Sequence, residues 1–67
     1  MGVKHLIELR GFLKKNSSES YNRTDLKDIL KQNFNMVETN LNYLKNIENC
    51  IIESEQGQRP KYQWKNE

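Results

Sequence analysis

Thr39, Asn42, Tyr43 and Asn46 recur at steps of three and four residues. At ~100° per residue they share one side of a helix over residues 36–48, while Val37, Leu41, Leu44 and Ile47 share the other. Amides and hydroxyls both donate and accept hydrogen bonds, so that polar side is equipped for exchange with an external partner. A second concentration of chemistry follows at Gln56-Gly57-Gln58-Arg59-Pro60-Lys61, a basic loop whose Arg59 carries a rigid planar fork. Nothing comparable exists for catalysis. His5 is the only histidine, Ser17, Ser18, Ser20 and Ser54 lie in no nucleophile motif, and the three glycines form no phosphate-binding loop. The acids all fall on polar faces or at helix caps. Cys50 is the single cysteine, which excludes an intrachain disulfide and a structural zinc site, and Ile51 and Ile52 beside it suit a small apolar core residue. No enzymatic activity, cofactor or metal is expected.

The elements that position these groups can be read from periodicity. Val3, Leu6, Ile7, Leu9, Phe12 and Leu13 predict an amphipathic helix over residues 3–15, closed by Lys14 and Lys15 at the negative end of its dipole. Gly11 inside it suggests a close helix crossing. Asn16-Ser17-Ser18-Glu19-Ser20 is a loop, and Tyr21-Asn22-Arg23 has room for a brief strand. Thr24 is the expected N-cap of a second helix at 25–33, with Leu26, Ile29 and Leu30 as its apolar stripe. Asn33-Phe34-Asn35 turns the chain, and Asn35 with Glu38 has the form of a capping box opening the helix at 36–48. Strands are expected at 50–55 and 61–65, with Tyr62 and Trp64 on one face capping the core and Pro60 in the loop or on an edge.

Length and composition bound the rest. The 67 residues form one domain, 1–67, with 34% hydrophobic and 30% charged residues, so nearly all apolar material is committed to a small core. That leaves little for a deep substrate cavity. The net charge of +2 is weak, but residues 1–15 carry Lys4, Arg10, Lys14 and Lys15 against Glu8 alone. No apolar run reaches the roughly 20 residues of a membrane span, and no signal-peptide core is present, so a cytoplasmic protein (or, for a viral one, a protein of the host cytoplasm or nucleoid) is expected.

The order helix, short strand, helix, tight turn, helix, basic hairpin resembles the winged helix-turn-helix family of small microbial and viral transcription regulators. The resemblance is carried by Thr24-Asp25-Leu26-Lys27-Asp28-Ile29-Leu30, by Val37 to Ile47, by Ile51-Ile52-Glu53 and by Gly57-Gln58-Arg59-Pro60-Lys61-Tyr62. It implies an α+β fold of three helices followed by a C-terminal β-hairpin wing. It also implies sequence-specific binding of double-stranded DNA, with the third helix in the major groove. Thr39, Asn42, Tyr43 and Asn46 would then read base edges, since amides pair with adenine and threonine meets the thymine methyl. Arg59, Lys61 and Gln58 on the wing, with Lys45, Lys27, Lys31 and Arg23, would hold phosphate or the minor groove. One module reads few base pairs, so a homodimer through helix 3–15, using Leu9 or Phe12, is expected, with no small-molecule effector. This sequence departs from the family in two respects: the third helix is not basic, having Glu38 and Glu48 against Lys45, and no glycine joins Ile47 to Ile51. The weakly acidic third helix motivates an alternative, a winged-helix adaptor that binds protein.

Overall fold

In the computed structural model, residues 2–56 and 59–65 are described. Helix α1 runs Gly2–Lys15, strand β1 Ser20–Tyr21, helix α2 Arg23–Leu30 and helix α3 Phe34–Tyr43. A single π-helical turn, Leu44–Glu48, continues α3, and strands β2 Ile51–Gln56 and β3 Arg59–Trp64 follow. The architecture is α+β: three helices and a three-stranded antiparallel sheet in the order β1-β3-β2, compatible with a winged-helix-like arrangement.

Each helix is placed by its apolar stripe. Leu9 and Leu13 of α1, Leu26 of α2, Val37 and Leu41 of α3, Leu44 of the π turn, Ile51 and Tyr62 make one fully buried cluster. Leu6, Phe12, Tyr21, Leu30, Cys50 and Trp64 pack around it half-buried. The Phe12 and Tyr21 rings meet at 5.0 Å and 56°, a tilted pair that fastens β1 to α1. Gln63 Nε2 donates to Ser17 O at 2.9 Å and ties β3 to the loop after α1.

Both inner helices start earlier than the sequence suggests. Asn22, not Thr24, caps α2, its Oδ1 accepting from Asp25 N at 2.7 Å. Asparagine is the better capping residue of the two. The helix then ends at Leu30 because Lys31 turns left-handed, with φ 54° and ψ 47°. Asn33 caps α3, accepting from Asn35 N at 2.8 Å. The expected capping box of Asn35 and Glu38 does not form: Glu38 instead accepts from Arg23 Nη1 at 2.6 Å, and a guanidinium outcompetes a backbone N–H.

The third helix also changes pitch. Asn49 N donates to Leu44 O across five residues, so each step in this turn advances by less than the usual angle. Val37, Leu41 and Leu44 are buried as expected, but Ile47 slips out of phase and stands 68% exposed. Asn49 at φ 58° takes a left-handed conformation, which asparagine tolerates best among the residues other than glycine.

β2 and β3 extend closer to the hairpin end than the sequence suggests. Pro60 lies inside β3 opposite Glu55, and β1 pairs only with Tyr62 and Gln63, so Pro60 sits where β3 has no β1 neighbour. The expected wing contact Gln58, with Gly57, lies outside the described residues. Two expectations about α1 are corrected. A Cβ on Gly11 would meet nothing within 4 Å, so no close crossing explains it within the chain. Leu9 is wholly buried and Phe12 is packed at a tilt against Tyr21, so neither is spare for a dimer; the exposed large apolar residues of α1, among those described, are Val3 and Ile7.

Candidate nucleic-acid interface

The buried stripe of α3 fixes which side chains remain outside. Thr39, Asn42, Tyr43 and Asn46 are all exposed, Tyr43 to 40%. Asn35 joins them at the N-terminal end and Ile47 at the C-terminal end. Sequence periodicity missed both. Its spacing marks Asn35 as a cap, a place that Asn33 fills, and the apolar period puts Ile47 with the core, from which the π turn rotates it out. Asn40, between them, is buried, and its Nδ2 has no partner among the described residues.

One flank of α3 faces the sheet and α2, and it is zipped by ions. Lys45 Nζ donates to Glu53 Oε1 of β2 at 2.5 Å, and the Tyr62 hydroxyl donates to Glu53 Oε2 at 3.1 Å. The Lys45 hydrogen bond holds the Glu53 carboxyl below the usual carboxylate range against the opposing effect of burial, and Tyr62 adds to it. Glu53 in turn raises Lys45. Burial, reinforced by the Glu53 charge, pushes the Tyr62 phenol up. Arg23 closes the next turn through Glu38. At the far end, Arg10 of α1 grips Glu48 through two of its guanidinium nitrogens, Nε to Oε1 at 3.0 Å and Nη2 to Oε2.

These bonds decide how the basic residues are deployed. Of the seven side chains expected at phosphate, Lys45, Arg23 and Lys27 are engaged within the protein, Lys27 with Asp28 at 3.0 Å. Lys31, Arg59 and Lys61 are exposed, and no ion pair holds them among the described residues. The same bonds answer the acidity of the third helix, since Glu38 and Glu48 are each neutralised by an arginine from another element.

Arg59 and Pro60 at the start of β3 line a concavity of about 380 Å³ with Asn22, Arg23 and Thr24 of the α2 entry and Phe34, the first residue of α3. The turn end of the hairpin therefore stands beside the N-terminal end of the exposed arc. A shallower depression of about 320 Å³ is lined by Asn33, Asn35, Met36, Thr39 and Asn40 along the same end of α3. Among the described residues, no three of His, Cys, Asp and Glu group as metal ligands, and no helix is long and apolar enough to cross a membrane. The Cys50 thiol is half-buried and pushed up by burial and then by Glu48.

No protein-family model matches the chain, and no curated protein or solved structure matches it.

Proposed function

We propose that the protein is a winged helix-turn-helix domain that binds double-stranded DNA sequence-specifically, as a repressor-like transcriptional regulator without enzymatic activity. In this reading α3 and its π turn enter the major groove. Thr39, Asn42, Tyr43 and Asn46 meet base edges, while Arg59 and Lys61, with Lys31 at the end of α2, hold the backbone or minor groove. The observation that carries it is a helix face open to solvent, nearly all hydrogen-bonding in character, with Arg59, which no ion pair holds among the described residues, beside its N-terminal end. Positioning and readout are thereby divided between two adjacent surfaces, as duplex recognition requires.

The domain measures 30 Å in its longest direction, less than the ~34 Å of one duplex turn, so a second copy would double the sequence read. Within this proposal the dimer forms along the exposed Val3 and Ile7 side of α1, where Gly11 leaves the helix backbone open to approach.

A second reading, the protein-binding adaptor, is favoured by one observation: Tyr43 and Ile47, one turn apart, are both exposed on the same helix end. Such a pair is a ready anchor for a protein groove. A salt titration of binding to short duplexes separates the two. DNA binding predicts affinity falling steeply as salt rises, and Arg59→Ala lowers the slope by about one unit. Failure to bind any duplex at low salt would discard the DNA reading in favour of the adaptor.

A further inference from the structure

We infer that the exposed arc of α3 selects A·T base pairs, with Ile47 and Thr39 against the thymine 5-methyl group and Asn42 and Asn46 on adenine. This inference rests on the DNA reading above and specifies its substrate. The inventory of side chains decides it. Guanine is most often read by arginine or lysine. The only such residue between Phe34 and Glu48 is Lys45, and its ammonium is bonded to Glu53 on the sheet-facing flank. Cytosine is read by a carboxylate accepting from its N4 amino group. The only carboxylates on this segment are Glu38 and Glu48, each already held by an arginine. What remains free on the arc is amide, hydroxyl and apolar.

An amide matches the N6 donor and N7 acceptor of adenine in one bidentate contact. Asn42 and Asn46 are one turn apart and both exposed, so they can address neighbouring base pairs. Ile47 completes the argument. The π turn places a large apolar side chain on the outward arc itself, 68% in solvent. Of the groups on the major-groove edges of the four base pairs, the thymine methyl alone is apolar. A thymine therefore gives Ile47 the dry contact that its own core does not.

The test uses the full chain and three pools of fluorescent duplexes of about 16 base pairs, compared by anisotropy at one salt concentration. The central positions are random A/T in the first pool and random G/C in the second; the third is the A/T pool with deoxyuridine in place of thymidine. Uracil keeps the hydrogen-bonding edge and lacks only the methyl. The A/T pool is expected to bind about tenfold more tightly than the G/C pool, and the deoxyuridine pool to lose about threefold or more. Ile47→Ala is expected to narrow the gap between the A/T and deoxyuridine pools, leaving the share carried by Thr39, and to leave the thermal melt in place, because Ile47 is exposed. Equal binding of A/T and G/C pools, or no effect of removing the methyl, would overturn the inference while leaving duplex binding intact. A methyl effect undiminished by Ile47→Ala would overturn the assignment to Ile47. Absence of binding to all three pools would remove the DNA reading itself, and this inference with it.

Discussion

Lys31 is asked to serve two ends. Its backbone adopts φ 54°, a left-handed conformation that disfavours a side chain, and its ammonium is exposed just beyond α2. Lys31→Gly should therefore raise unfolding free energy by about 0.5–1 kcal/mol in a urea titration. The same change should weaken duplex binding and lower its salt slope by about one unit. Stability and affinity rising together would exclude Lys31 from phosphate contact. The other residue-scale lesson is how charge is allocated. The sequence shows Arg23, Lys45 and Lys27 as three cations of equal standing with Arg59 and Lys61. Only the fold brings Glu38 and Glu53 against Arg23 and Lys45, whereas Lys27 pairs with its sequence neighbour Asp28. Partners 15 residues apart, as Arg23 and Glu38 are, leave no mark in local spacing.

The elements were legible where periodicity is dense and illegible where it is broken by tertiary packing. Helix α1 begins within a residue of its expected start and ends where expected, because six apolar residues define its stripe. The polar arc of α3 was equally plain, since Val37, Leu41 and Leu44 leave only one face outward. The π turn was not. It depends on Leu44 O receiving the N–H groups of Asn49 and Cys50 where the chain bends into β2, and nothing in the residue types of Leu44–Glu48 encodes that. The caps were misplaced by two residues in both inner helices, because this chain has asparagine, threonine and serine at many adjacent positions and several could serve. The assignment is testable: Asn22→Ala should cost about 1 kcal/mol of stability. Thr24→Ala, which removes no cap, should stay within about 0.5 kcal/mol in the same titration. Equal costs would contradict the observed cap.

At the scale of the whole molecule, Glu53, Lys45 and Tyr62 join the end of α3 to the hairpin, and their shifts set a pH window. Glu53 is depressed in the folded state, so its contribution is present above the ordinary carboxylate value and is lost as pH falls through the lowered one. Tyr62 and Lys45 are raised, so theirs are present below their ordinary values and are lost as pH climbs through the raised ones. Stability should form a plateau bounded on both sides. Glu53→Gln should flatten the acid limb and lower the plateau, as read from thermal melts across pH. An acid limb unchanged by Glu53→Gln would place the acid sensitivity elsewhere.

The central claim is that the outward arc of α3 meets base edges with the turn end of the hairpin alongside. The most direct measurement is a titration of isotopically labelled protein with an A/T-rich duplex, followed by NMR. The account predicts the largest shifts at the side-chain amides of Asn42 and Asn46 and at the Ile47 methyls, with Arg59 and Lys61 next and the buried core unmoved. Shifts concentrated on Val3 and Ile7 of α1, with Asn42 and Asn46 unaffected by saturating duplex, would contradict it.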